Sequence, residues 1–326
     1  MLETIYVARH GFRSNWTTDN DGNYSATITS PTGIASDPPL AAYGVEQAHE
    51  LATYAASVDP KIERIYSSPF YRCLETINPL AEILDLPILC DNGIGEWYGV
   101  ARFDHPSPAA PEILHRFFPR VRTSYDPTII PSTKGETLSE IHNRTAYACA
   151  KIISDIDREW KETGTGPRAI LLVAHAATNI AIGRVLTGDE NREIRAGTCS
   201  MSIYRRRATT TPPAPNALPL PSTEDPIPDT NWRGGKGVVG GWDQIQNGDC
   251  SFLKNGEERN WWFEGDESWD FPVVKEGTAG VEGGLTAAIE GGLTEGAIGG
   301  PGTLPEAGKA EDTAHMHKVE KQRSNI

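Results

Sequence analysis

Long hydrophobic runs are missing from this chain. Nothing in its 326 residues approaches the roughly 20 consecutive apolar residues that cross a bilayer. The opening Met1-Leu2-Glu3-Thr4 has neither the basic nor the apolar segment of a secretory leader. Membrane insertion and export are therefore not expected. Cysteine is sparse: Cys73, Cys90, Cys149, Cys199 and Cys250 are scattered and odd in number. That pattern supplies no disulfide framework and no zinc-site spacing, and it reads as reduced thiols in a cytoplasmic or nuclear protein. Lysine is also scarce early on, with 4 Lys against 17 Arg in residues 1–207. The net charge of −14 is uneven: 21 basic against 25 acidic residues in 1–207, and 9 against 19 in 208–326. An acidic C-terminal third repels nucleic-acid backbones, so direct nucleic-acid binding is not expected. The arginine bias has the opposite meaning locally, because guanidinium groups grip phosphate bidentately.

Composition changes at about residue 208. Thr209-Thr210-Thr211-Pro212-Pro213-Ala214-Pro215 opens a proline-rich stretch that predicts an extended linker over 208–230. Beyond it, Trp232, Trp242, Trp261, Trp262 and Trp269 gather with Phe252, Phe263 and Phe271 in an aromatic docking segment at 231–275. Such rings either cover an apolar patch in cis or hook a protein partner, and docking in cis is the expectation. On that expectation, cutting after Arg207 leaves the chemistry intact and costs about 1–3 kcal/mol for each of Trp261 and Trp262. Residues 276–326 are Gly-rich and acidic and are read as a disordered tail. His315 and His317 there lack further ligands and do not make a metal site.

Strands are predicted at 4–8, 62–67, 169–174 and 200–206, each short, apolar and bounded by turn or charged residues. The clearest helix follows Gly135, where Thr137 and Glu140 form a capping-box signature ahead of Leu138, Ile141, Thr145, Ala148, Ile152 and Ile156. Further helices fit 42–57, 70–84 and 178–186. Alternating strands and helices imply a catalytic domain over 1–207 built as a three-layer α/β/α sandwich with a largely parallel central sheet. Ligand sites in such sheets lie beyond the carboxyl ends of the strands.

Those ends carry the chemistry. The first strand runs into Arg9-His10-Gly11, the second into Ser68-Pro69-Phe70-Tyr71-Arg72 and the third into His175, with Arg13 nearby. Together they look like a socket for one phosphoryl group. A neutral imidazole can attack phosphorus, fixed guanidiniums stabilise the transition-state charge, and a carboxylic acid must protonate the leaving oxygen. Glu96, in Gly95-Glu96-Trp97-Tyr98-Gly99, is the candidate acid, its pKa expected to rise beside Trp97; Asp104 and Glu136 are its rivals.

Five ordered signatures resemble the histidine phosphatase superfamily, which includes the phosphoglycerate mutases. They are Arg9-His10-Gly11, Leu-x-x-x-Gly-x-x-Gln-Ala ending at Ala48, Ser-Ser-Pro-x-x-Arg-x-x-Glu-Thr ending at Thr76, Gly135-Glu136-Thr137, and the late strand before His175. The resemblance covers about 3–206. Arg9-His10-Gly11-Phe12-Arg13-Ser14-Asn15-Trp16 is further similar to a fungal group that includes the phosphatase-like domain of the small tau subunit of the RNA polymerase III assembly factor. The resemblance implies His10 as the phosphorylated nucleophile, Glu96 as proton donor, His175 with Arg9 and Arg72 in the phosphate pocket, Arg13 as an extra ligand, and no metal or cofactor. It departs at Ala176, where the family usually has Gly. The implied activity is phosphomonoester hydrolysis on a small molecule or phosphopeptide. The alternatives are phosphomutase chemistry, or an assembly subunit of a transcription complex that uses the fold as a platform. Substrate-contacting insertions belong at 99–131, where Arg102, His105, Arg116, Arg120 and Arg122 would suit an anion. The polar insertion 17–39 reads as a flexible rim.

Overall fold

The computed structural model describes residues 1–19, 21–208, 218–223 and 226–263. A six-stranded sheet in the order β5-β4-β6-β1-β7-β8 organises them. The parallel half comprises β1 (Thr4–Arg9), β4 (Arg64–Ser67), β5 (Ile88–Cys90) and β6 (Ala169–Ala174). The antiparallel half adds β7 (Met201–Arg206) against β1 and β8 (Trp242–Asp249) against β7. A small hairpin of β2 (Trp16–Thr18) and β3 (Tyr24–Ala26) stands apart.

Side chains of β1 alternate between two helical layers, as a pleat buried on both faces requires. Ile5 and Val7 face α4 (Leu138–Thr163) and α5 (Ala176–Thr187); Tyr6 and Ala8 face α1 (Ala42–Ala55), α2 (Tyr71–Leu84) and α3 (Pro111–Phe117). The fold is thus the three-layer sandwich with a mostly parallel sheet. The capping box at Thr137 and Glu140 forms as expected, satisfying two otherwise unpaired helix-end donors.

Two features depart from the expectations. The sheet does not stop at residue 207: β8 lies beyond the proline-rich stretch and completes its edge. Trp232 and Trp242 are fully buried, with Trp232 stacked over His142 at 6.0 Å and Phe252 stacked on Tyr54 at 4.2 Å. Trp232 and Trp242 are part of the core and have no surface to offer a partner, while Phe252 is partly buried. The expectation that a cut after Arg207 leaves the chemistry intact at modest cost in stability does not fit this arrangement, because that cut strips a strand from the sheet. The insertion 17–39, expected as a flexible rim, instead carries the hairpin and places Ser36 and Asp37 at zero exposure. Trp269, Phe271, the 276–326 tail, His315 and His317 lie outside the described residues.

Candidate active site

Each parallel strand delivers one member of the site at its carboxyl end. β1 leads into His10, β4 into Arg72 at the second residue of α2, β5 through a one-turn helix at Asn92–Ile94 into Glu96, and β6 into His175 at the start of α5. His10 and His175 lie edge to face with ring centroids 5.3 Å apart. Arg72 sits at their centre. Its guanidinium donates to Glu96 Oε2 at 2.5 Å, to Asp37 Oδ1 at 2.9 Å and to Ser36 O at 3.3 Å, and its Nη2 is 3.1 Å from His175 Nδ1. Arg72, His175, His10 and Arg9 are between 0% and 2% exposed, while the Glu96 side chain keeps 15%. The carboxylate marks the side from which the site opens.

His10 has a defined tautomer. Its Nδ1 is 2.8 Å from the Gly11 carbonyl, which can only accept, so Nδ1 carries the hydrogen and Nε2 keeps its lone pair. Burial, reinforced by Arg72, Arg9, His175 and Arg13, holds its pKa well below 6.5. Burial likewise depresses His175 to about 4, with Glu96 opposing and Arg72 assisting; Ser68 Oγ lies 2.7 Å from its Nε2.

The loop after His10 is fixed by the quoted signatures. Thr76 Oγ1 accepts the Gly11 N–H at 2.9 Å, and Gln47 Oε1 accepts the Phe12 N–H at 2.9 Å. Gly44 is required there because a Cβ would stand 1.9 Å from the Phe12 carbonyl oxygen. Arg9 Nη1 donates to Ala196 O at 2.7 Å and to Arg259 O. Arg13 is buried; it donates to Ser14 O at 3.0 Å and lies 5.9 Å over the Trp16 ring.

Glu96 differs from its expectation in the sign of its pKa shift. Burial acts to raise it, but His175 and the permanent charge of Arg72 prevail and hold it well below 4.5. Its rivals are placed elsewhere. Asp104 is exposed and paired with Lys134 at 3.0 Å. Glu136 is locked bidentately onto buried Arg144 at 2.7 Å, and Arg144 also reaches the Gly93 and Gly95 carbonyls that precede Glu96. Asp37 and Ser68 are residues the sequence reasoning missed. Ser68 stood inside a quoted motif; Asp37, which also caps α2 by accepting the Tyr71 N–H at 2.7 Å, had no local signal at all.

Residues 5–211 match the histidine phosphatase superfamily, branch 1. The chain belongs to that superfamily. The chain is 38% identical over 279 residues to the transcription factor tau 55 kDa subunit of Saccharomyces cerevisiae, covering 81% of its own length and 59% of that protein's. It is 28% identical over 207 residues to the ecdysteroid-phosphate phosphatase of Drosophila melanogaster, covering 56% and 27%. The chain thus spans less than two-thirds of either relative. Among solved structures it resembles a mycobacterial glucosyl-3-phosphoglycerate phosphatase, at 15% identity and a TM-score of 0.44, covering 76% of this chain and 98% of that one. The 38% identity supports the resemblance to the fungal tau group. Among the described residues, no helix is long and apolar enough to cross a membrane.

The buried histidines make stability depend on pH. His142 is a third, lowered to about 4 by burial; its Nδ1 donates to Leu138 O at 2.6 Å. A histidine whose folded pKa lies below 6.5 binds its proton more readily when unfolded, so stability is full above pH 6.5 and falls as pH drops toward 4. Each contributes a slope of up to about 1.4 kcal/mol per pH unit in that window. Denaturant titrations of the protein at pH 7 and pH 5 should therefore differ by more than 1 histidine can supply, about 1.4 kcal/mol per pH unit, and His142→Gln should flatten the slope by one proton. Equal stability at the two pH values would contradict the buried, neutral assignment.

Proposed function

We propose that this chain hydrolyses phosphomonoesters through a phosphohistidine at His10. The observation that carries this reading is the hydrogen bond from His10 Nδ1 to the Gly11 carbonyl. With that nitrogen engaged and the ring held neutral, Nε2 is an available nucleophile at neutral pH. It attacks phosphorus, the N–P bond forms as the P–O bond to the leaving group breaks, and Glu96 gives its proton to the departing oxygen. Water then attacks phosphorus, the N–P bond breaks, Glu96 recovers a proton from the water and inorganic phosphate leaves. Arg9, Arg72 and His175, with Arg13 as an extra ligand, hold the equatorial oxygens and stabilise their charge.

The depressed pKa of Glu96 fits this sequence once the substrate's own charge is counted. A phosphoryl dianion draws the Arg72 guanidinium onto itself and sets negative charge beside the carboxylate. Both effects raise the Glu96 pKa, so substrate arrival protonates the acid.

The leaving group must lie on the open side, against Glu96. A cleft there is lined by Pro69, Phe70, Tyr98, Pro106 and Pro131, with no lysine or arginine among its described lining residues. His105 is stacked under Tyr98 at 4.7 Å, with its pKa lowered by burial. Arg120 pairs with Asp85, and Arg102, Arg116 and Arg122 are exposed. Nothing here favours the mutase alternative, whose product keeps a phosphate that needs cations.

The tau subunit relative supports a second reading, in which the fold is a platform for a protein partner in a nuclear transcription complex. The two are separated by one experiment. Brief reaction with a radiolabelled phosphomonoester should leave acid-labile, base-stable label on His10. Label on serine or cysteine would overturn the phosphohistidine mechanism, and no turnover across phosphopeptides, sugar phosphates and nucleotides would remove the catalytic reading and leave the platform.

A further inference from the structure

After β8 the chain turns through Cys250 to Gly256 and crosses the carboxyl edge of the sheet, where residues 257–263 touch three of the loops that form the site. Glu257 pairs with Arg195. The Glu258 carbonyl accepts the Thr198 N–H at 2.9 Å, and its carboxylate accepts from the Gln47 amide at 3.2 Å. This is the Gln47 whose other amide atom holds the Phe12 N–H. Arg259, in the left-handed region at φ 48°, turns its carbonyl toward Arg9 Nη1 and lays its guanidinium 3.8 Å over the Phe12 ring. Asn260 accepts the Ala196 N–H at 2.8 Å, and the Ala196 carbonyl is the second acceptor for Arg9.

The aromatics complete the crossing. Phe263 and Trp261 stand edge-on to Trp97, with centroids 5.3 and 6.3 Å away. Both also pack at the start of α5: Trp261, Trp262 and Phe263 lie over Ala176, Ile180, Ile194 and Ala196, and Trp261 and Phe263 over Ala177. The methyl of Ala176, where the superfamily signature usually has Gly, is thus absorbed into the contact. Trp97 matters because its backbone N–H donates to Glu96 Oε1 at 3.0 Å while its indole N–H donates to Glu136 O at 2.9 Å. Fixing the indole fixes the direction of the N–H that holds the Glu96 carboxylate.

We infer that residues 257–263 are a positioning strap for phosphoryl transfer: Trp261 and Phe263 orient Glu96 through Trp97, and the Arg259 carbonyl orients Arg9. The strap touches no reacting atom. It sharpens the placement of groups that do, and misplacement by about 1 Å can cost on the order of 10²-fold in rate. The inference rests on the reading of Glu96 as the acid.

The test compares the full chain with its Trp261→Ala/Phe263→Ala, Trp261→Phe and Glu96→Gln variants, well below their melting temperatures. The substrates are glycerol phosphate, whose alkoxide needs a proton, and 4-nitrophenyl phosphate, whose phenolate does not. The double alanine variant should lose roughly 10–100-fold in kcat on glycerol phosphate and less than about threefold on the nitrophenyl ester. Trp261→Phe should stay near the parent. Equal losses on both substrates, or none on either, while Glu96→Gln shows the split, would overturn the strap and leave the acid assignment standing. Absence of the split in Glu96→Gln itself would overturn both.

Discussion

Replacing His10 by alanine is expected to lower phosphomonoester turnover by about 10⁴-fold or more, because no other group can form the covalent intermediate. Ser68 and Cys73, the nearby nucleophilic side chains, are poor substitutes. Ser68 is engaged with His175 Nε2, and burial pushes the Cys73 thiol far above its usual 9.0. The loss should appear in kcat with either leaving group, unlike that of Glu96→Gln. Burial of the native ring and its net of hydrogen bonds means that the variant must be checked for folding by circular dichroism. A folded His10→Ala protein with more than a tenth of the parent rate would exclude His10 as nucleophile.

Ending the chain at Arg207 should abolish folding. The cut removes β8, leaving β7 as a bare edge, and takes away Trp232 and Trp242, both at zero exposure. Each tryptophan buries about 150–250 Å², which corresponds to about 4–6 kcal/mol at 25 cal/mol per Å² as an upper figure. Two such losses match a typical domain stability of about 5–15 kcal/mol. The cut also removes the Arg259 carbonyl from Arg9. Soluble yield and thermal melts of fragments 1–207 and 1–263 decide the matter: the first should be insoluble or non-cooperative, the second close to the full chain. A cooperative, active 1–207 fragment would contradict it.

The centre of the fold could be read directly. The apolar, β-branched run at β6 and the three- and four-residue steps of α4 are local signals, and three of the four predicted strand ends pointed to site residues, whereas β5, which leads toward Glu96, was not predicted. What escaped detection depends on distance along the chain. Asp37 is a surface-like residue in a Ser/Pro-rich stretch until folding sets it beside Arg72, 35 residues away. The downward pKa of Glu96 escaped for the same reason, since Trp97 is adjacent in sequence and Arg72 is not. β8 reads Trp-Asp-Gln-Ile-Gln-Asn-Gly-Asp, a polar edge strand buried mainly near its two ends, preceded by Gly240-Gly241 and containing Gly248, so its pattern resembles a loop. The proline-rich lead-in reinforced that misreading. Domain boundaries drawn from composition mark changes in chain stiffness, and a strand can return to a sheet across one.

The pairing of Arg9 with the Arg259 carbonyl joins residues 250 positions apart. A ribosome adding about 5–20 residues per second needs roughly 10–50 s to travel between them. During that interval β1 has emerged without β6, its parallel neighbour, and later without the edge that β8 supplies. Non-local pairings of this kind fold slowly and leave apolar strand faces uncovered in the nascent chain. The yield of active protein in cells should therefore respond to the speed of translation and to chaperone supply more than its final stability would suggest.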